Sequence, residues 1–218
     1  MDLMETEIIN KLFFCKECDS DLTFEELIID SEKIDSLKCK NCGFKIKSDF
    51  GVFDFTKEID SDKIKNSKKK TYDEIWESVR SSGSDTNYYN KEKKIVSKYS
   101  NLIKNKIVLE AGVGDGRNLE LIIKQKPSFI ICVDAYDAIY LARRRYDAMK
   151  IKANIVFIKS DLINGPIKNK SVDLTWTLGV LSVISNQIVF LEKISFLTKN
   201  TILLGTLSDN LYGNLYYS

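Results

Sequence analysis

The 218-residue chain contains no histidine, only 2 prolines and only 5 cysteines. The missing histidine removes the commonest general base near neutral pH and the commonest neutral metal ligand. Any proton transfer must then fall to a carboxylate, a tyrosine or the substrate itself. No apolar run approaches the roughly 20 residues that a membrane-spanning helix requires. The opening MDLMETEIINK is acidic where a secretion signal would be basic, so a cytoplasmic chain without a membrane partner is expected. Neither sign of charge dominates, the formal net charge being +2. The distribution is less even. Residues 1–56 carry 7 basic and 13 acidic side chains, residues 57–104 carry 12 and 8, and residues 105–218 carry 14 and 10. The N-terminal stretch is therefore a poor electrostatic partner for nucleic acid.

What is present is an ordinary globular composition, 44% hydrophobic and 29% charged, with enough chain for one large domain and a small appendage. Residues 1–56 hold two cysteine pairs. Residues 57–71, KEIDSDKIKNSKKKT, are polar and Lys-rich and read as a solvated linker. In 72–218 the pattern becomes regular. Tyr88, Ile95, Tyr99, Leu102 and Ile103 fall near one helical face. Apolar strand-like runs then follow at 106–111 (KIVLEA), 129–134 (FIICVD), 155–159, 172–178 and 201–207 (TILLGTL), separated by helical patterns at 117–124, 135–150 and 187–197. Alternating strands and helices imply βαβ units and a parallel sheet, and nearly continuous apolar strands imply a sheet covered on both faces. The expected fold is α/β, a Rossmann-like doubly wound, mostly parallel sheet with a small N-terminal ribbon.

Two motifs carry chemical information. Cys15-x2-Cys18 is followed after 20 residues by Cys39-x2-Cys42. Such knuckles let four thiolates converge on one Zn²⁺, and with no open coordination position the ion would be structural. A redox motif is the rival for one CxxC alone, but it has no need to occur twice at this spacing. Gly43 suits the tight turn after the second pair, because glycine tolerates positive φ. A segment this short would draw much of its folding free energy from the metal. The fifth cysteine, Cys132, reads as a buried apolar residue.

The second motif is the run 109–118, LEAGVGDGRN. A strand ends in Glu110, and Gly112, Gly114 and Gly116 then let the backbone turn and approach a ligand before a helix begins. Taken alone, the glycines equally suit a plain tight turn. Asp134 ends the next strand, where a carboxylate can accept both hydroxyls of a ribose, and Asp161-Leu162 follows the third strand at the same rim.

Together with the stretch VDLTWTLGVL at 172–181, these motifs resemble the ordered motifs of class I S-adenosylmethionine-dependent methyltransferases, over about residues 72–207. The cysteine ribbon ending in SDFGVFDF resembles the four-cysteine ribbon that precedes some members. The resemblance implies a strand order of 3-2-1-4-5 and S-adenosylmethionine as cofactor beside structural Zn²⁺. It implies that Glu110 and the backbone of Gly112, Gly114 and Gly116 face the cofactor's methionine part. Asp134 would hold the ribose and Asp161 the adenine amino group, with Leu162 beside the ring. Thr177, Leu178 and Gly179 would lie near the sulfonium, and the aromatic segment 72–76 (YDEIW) is similar to one that closes over the cofactor in several members.

Departures from the family pattern shape the functional expectation. Where many small-molecule enzymes of the family carry histidines, this chain has Ser182 and Val183, so the catalytic residue stays unassigned. Asp173 is a tempting base, but a carboxylate at the start of a strand more often orients local backbone. Only 11 residues follow TILLGTL, too few for the family's last two strands. That strand is expected to form an exposed apolar edge, left by truncation of a longer chain or covered by a protein partner or by residues 211–217. The expected function is methyl transfer to a small-molecule or sugar-type acceptor, with Tyr136, Trp176 and Tyr212 as candidate pocket residues. The alternatives are ribosomal RNA methylation, for which Arg143, Arg144 and Arg145 argue weakly, and a non-catalytic cofactor-binding or assembly module with the ribbon as a docking surface.

Overall fold

The first 56 residues fold as a helix and four short strands: α1 (Leu3–Leu12), β1 (Leu22–Ile29), β2 (Glu32–Cys39), β3 (Lys45–Asp49) and β4 (Val52–Asp54). The structure, a computed structural model, describes residues 3–29, 31–56, 93–181 and 183–205. The expected linker 57–71, the aromatic segment 72–76, Tyr88, Ser182 and residues 211–217 lie outside the described residues. Successive strands β1 to β4 pair antiparallel. The β3–β4 connection is a two-residue hairpin in which Phe50 (φ 47°) and Gly51 (φ 73°) both adopt left-handed backbone, as a type I′ turn requires.

After residue 93 come α2 (Ser100–Ile103), β5 (Ile107–Ala111), α3 (Leu119–Ile123), β6 (Phe129–Asp134), α4 (Ala138–Ala148), β7 (Ile155–Lys159), β8 (Val172–Leu178), α5 (Gln187–Leu197) and β9 (Thr198–Gly205). The five strands from β5 onward are parallel and lie in the order β7-β6-β5-β8-β9, which is the expected 3-2-1-4-5. Burial along β5, β6 and β7 is almost unbroken, as their apolar runs require of strands covered on both faces. In β3 it alternates, because one face of that strand meets water.

The ribbon does not hang beside this sheet. β4 pairs parallel with β7, so that a single nine-stranded sheet runs from β1 to β9. The hydrophobic core is shared in the same way. Ile9, Leu12, Phe13, Leu22 and Leu37 belong to one buried cluster with Leu109, Ile131, Val156, Ile158, Ile167 and Phe190. On the opposite face, α3 and α4 cover Val108, Ile130, Cys132, Phe157 and Trp176. The link between β7 and β8 is also stitched to the ribbon. The Phe14 N–H donates to Pro166 O (2.9 Å), the Lys168 N–H to Leu12 O (2.9 Å), and Lys168 Nζ pairs with Asp21 (2.7 Å).

Among the described residues β9 is the outermost strand on its side, and Leu204 is 48% exposed. Beside it α5 is apolar on both faces. Phe190, Ile194 and Leu197 are buried, while Ile188 and Phe196 face outward at 70% and 57% exposure. No described helix is long and apolar enough to cross a membrane.

Candidate cofactor site and metal centre

The four ribbon cysteines converge. Their sulfurs all lie within 4.8 Å of one another, with Cys15 Sγ 3.5 Å from Cys42 Sγ and Cys18 Sγ 3.5 Å from Cys39 Sγ. A disulfide would bring sulfurs to about 2.05 Å. Four thiolates around one Zn²⁺ at about 2.3 Å stand roughly 3.8 Å apart. The observed spacing fits the metal, and the two knuckles have matching backbones. In the first, the Cys15 N–H donates to Ser20 O and the Asp19 N–H to Cys15 O. In the second, the Cys39 N–H donates to Phe44 O and the Gly43 N–H to Cys39 O. Both knuckles need left-handed backbone after the second cysteine, taken by Gly43 at φ 79° and by Asp19 at φ 57°. The role of Asp19 was not read from the sequence. Aspartate tolerates this conformation better than most side chains, but no motif announces it. Burial pushes the Cys15 thiol up to about 12, while hydrogen bonding from Ser20 holds Cys18 down at about 6.

The glycine-rich turn follows β5. Gly112, Gly114 and Gly116 have φ of 80°, 56° and 76°, and at two of them packing adds a second constraint. A Cβ on Gly112 would run into Val180, and one on Gly116 would lie 2.8 Å from Ala142 Cα on α4. The turn is held from both sides. The N–H groups of Gly112 and Val113 donate to Val133 O at the end of β6 (2.8 and 3.1 Å). Asp134 Oδ2 accepts from the Gly114 N–H (2.8 Å) and Oδ1 from the Tyr136 N–H (2.9 Å), so this carboxylate fastens the turn to the loop after β6. Asp115, only 3% exposed, anchors the turn's outer side by accepting from Arg117 (3.2 Å) and Arg145 (2.8 Å). A hollow of about 280 Å³ lined by Asp115, Leu141, Arg144 and Arg145 lies beside it. None of the expected cofactor residues lines that hollow.

The remaining expected residues fall on the same rim of the sheet. Glu110, 3% exposed, lies opposite Cys132 in register. Burial and then the Glu110 charge raise the Cys132 thiol well above its ordinary value. Asp161 follows β7. Its carboxylate accepts from the Ile163 N–H (3.0 Å) and from Asn164 (3.0 Å), and Leu162 beside it is buried. Thr177 lies near the end of β8. Its hydroxyl is buried and, among the described residues, has no hydrogen-bond partner. An unpartnered buried hydroxyl at the carboxyl ends of parallel strands, beside three left-handed glycines, fits a cleft that receives a polar ligand. Other candidates lie elsewhere. Asp173 Oδ2 accepts from the Ile107 N–H (2.9 Å) at the opposite, amino end of the sheet. Trp176 is 1% exposed in the core beneath α3 and α4.

The arginine run is not one free basic face. Arg143 binds Asp147 (3.0 Å) and the Gly51 carbonyl (3.2 Å), and Arg145 binds Asp115. Three charged residues that the sequence reading passed over stand at the junction with the ribbon. Lys159 Nζ lies 3.1 Å from Asp54 and 2.7 Å from Asp137. The only hint in the sequence is a lysine closing an otherwise apolar strand.

Residues 109–201 match a family described as "Methyltransferase domain". Curated protein sequences give no match. Among solved structures, the chain is 19% identical to a Methanococcus maripaludis protein assigned as an S-adenosyl-L-methionine-dependent methyltransferase, covering 63% of this chain and 64% of that one at a TM-score of 0.52. It is 22% identical to a SAM-dependent methyltransferase from Aquifex aeolicus, covering 49% and 58% at a TM-score of 0.44. It is 17% identical to a phosphoethanolamine N-methyltransferase of Haemonchus contortus, solved with phosphomonomethylethanolamine and S-adenosylhomocysteine, covering 58% and 32% at a TM-score of 0.48. The chain thus spans less than two thirds of each of these structures. At 19% identity the likeness to the Methanococcus maripaludis structure speaks for the fold, which agrees with the strand order. Residues 109–201 thus match a methyltransferase-domain family, and they lie in a parallel sheet that shares the fold of the Methanococcus maripaludis structure, behind a ribbon whose four cysteines converge.

Proposed function

We propose that the chain transfers a methyl group from S-adenosylmethionine to a small-molecule or sugar-type acceptor, with Zn²⁺ held by Cys15, Cys18, Cys39 and Cys42 as a structural ion. The observation that carries this reading is the glycine-rich turn with all three glycines left-handed, pinned through the Gly114 N–H to Asp134 at the carboxyl ends of β5 and β6. Bound S-adenosylmethionine supplies an electrophilic methyl group on a sulfonium, and the protein's work is to hold donor and acceptor in line and keep water out.

In this reading Glu110 and the backbone of Gly112, Gly114 and Gly116 face the methionine part. Asp134 takes the ribose hydroxyls, its orientation set by its two backbone donors. Asp161 and Leu162 take the adenine. Thr177, with Leu178 and Gly179, borders the entrance for the acceptor. With no histidine in the chain, an acceptor that arrives as a ready nucleophile suits this site best. The small-molecule reading is favoured over RNA because Arg143 and Arg145 are bound to the protein's own carboxylates and the ribbon is acidic. The exposed edge of β9 with Leu204, Ile188 and Phe196 favours that side for a protein partner.

Calorimetric titration with S-adenosylhomocysteine tests the reading. Saturable binding near micromolar, about 8 kcal/mol, is expected for the zinc-loaded chain, weakened at least tenfold in Asp134→Ala. A folded, zinc-loaded sample that produces no binding heat would overturn it.

A further inference from the structure

The row of charges where the ribbon joins the sheet carries an inference beyond cofactor binding itself, and it rests on the cofactor reading above. In register across β6, β7 and β4 stand Asp134, Lys159 and Asp54, side by side at the carboxyl rim. Lys159 closes β7 with its side chain 11% exposed, between Asp54 of the ribbon, 5% exposed, and Asp137 of the loop after β6. The ring of Tyr140 lies 5.7 Å from its ammonium. Asp54 is itself fixed, accepting from the Thr56 N–H (2.9 Å) and hydroxyl (2.6 Å).

Asp137 occupies the N-cap position of α4, where an aspartate commonly caps its own helix, yet its side chain makes no capping bond. It turns to Lys159 instead. The four-residue segment 134–137 is thus gripped at both ends. Asp134 is bonded to the glycine-rich turn, and Asp137 is tied through Lys159 to the last strand of the ribbon. Burial alone would lower the Lys159 pKa, but Asp137 and Asp54 outweigh it and raise the value above the ordinary one, so the ammonium stays charged at neutral pH. Apolar residues could fill such a junction with equal or greater stability. What ions add is a fixed geometry between two particular elements.

We propose that Lys159 is a positioning residue, and that through Asp54 and Asp137 it lets the zinc ribbon set the conformation of the ribose-binding loop, 134–137. The path back to the metal is short. Phe53 and Phe55, on either side of Asp54, belong to the same buried cluster as Cys15 and Cys39. Coupling of this kind is reciprocal: a ribbon that orders the loop is itself steadied when the loop is occupied.

The test uses the full zinc-loaded chain and Asp137→Asn, which removes a 42% exposed carboxylate and leaves the Lys159–Asp54 pair in place. Three readouts are expected to move. Affinity for S-adenosylhomocysteine falls about fivefold. Discrimination between S-adenosylhomocysteine and its 2′-deoxyribose analogue shrinks, which a loss of general stability would not produce. S-adenosylhomocysteine slows zinc transfer to a chromogenic chelator in the unaltered chain, and does so less in the variant. Melting temperature and zinc content stay the same. Lys159→Met is expected to repeat the pattern, and if it does not fold, Asp137→Asn decides alone. Unchanged affinity and unchanged ribose discrimination in Asp137→Asn overturn the proposal, as does zinc release from the unaltered chain that ignores the ligand. An unaltered chain that binds no S-adenosylhomocysteine overturns the cofactor reading and this inference with it.

Discussion

Gly116 shows how a single position can be constrained twice. Its φ of 76° disfavours any side chain, and a Cβ would sit 2.8 Å from the Ala142 backbone and 2.9 Å from its methyl group. Backbone cannot move aside as a flexible side chain would. Gly116→Ala is therefore expected to cost about 1–3 kcal/mol, read as a lowered melting temperature, and to weaken S-adenosylhomocysteine binding because the turn must shift. A variant with unchanged stability would contradict the packing described here. The glycine spacing was legible in the sequence because a backbone constraint of this kind is written in one residue type. Asp115, between two of the glycines, was not. Its role depends on Arg145, 30 residues further on, which only the fold brings within 2.8 Å. Asp134 was legible as a strand-end acid, but its bond to the Gly114 N–H was not, since nothing local specifies it.

At the scale of elements the zinc knuckles are the most local feature, and the most readable. Ligand spacing and a turn glycine predicted them, and the sulfurs converge as the spacing requires. Loading the metal needs four thiolates, and burial holds Cys15 near 12, so its proton must be displaced throughout the neutral range. Zinc affinity is accordingly expected to rise with pH by at least about tenfold per unit between pH 6 and 8, measured by competition with a chelator. A flat profile would mean that the thiols are already ionised. The arginine run on α4 was legible as a basic stretch of helix. Arg143 with Asp147 is an i,i+4 pair within the helix, but the bonds to Gly51 and Asp115 were not legible, because those partners come from other elements. β4 was overlooked for a similar reason. Three residues carry almost no period-2 signal, and Val52–Asp54 becomes a strand only where β7 offers it an edge.

For the whole molecule, the continuous sheet and shared core imply that the ribbon and the parallel-stranded domain stand or fall together. Cys15 and Cys39 are buried in the same cluster as Leu109, Ile131 and Val156, so losing the metal opens the core of both. Thermal unfolding of the zinc-loaded chain is expected as one transition, and a strong chelator should lower it for the molecule as a whole. Two separate transitions, with only the minor one sensitive to chelation, would show that the junction at β4 and β7 contributes little.

The sequence by itself determined the features that arise from short-range chemistry: the alternation of five apolar strands with helices, the left-handed glycines after β5, the acid closing β6 and the four-thiolate ribbon. Each is encoded within a few residues by periodicity, backbone freedom or ligand spacing. The tertiary structure decided how the two parts join. The parallel pairing of β4 with β7 and the bridge from Asp54 through Lys159 to Asp137 bring together groups 105 positions apart, and the shared core joins residues farther apart still, Ile9 with Phe190 among them. No local pattern encodes that pairing, because it stabilises the chain only after both partners have folded into the same sheet.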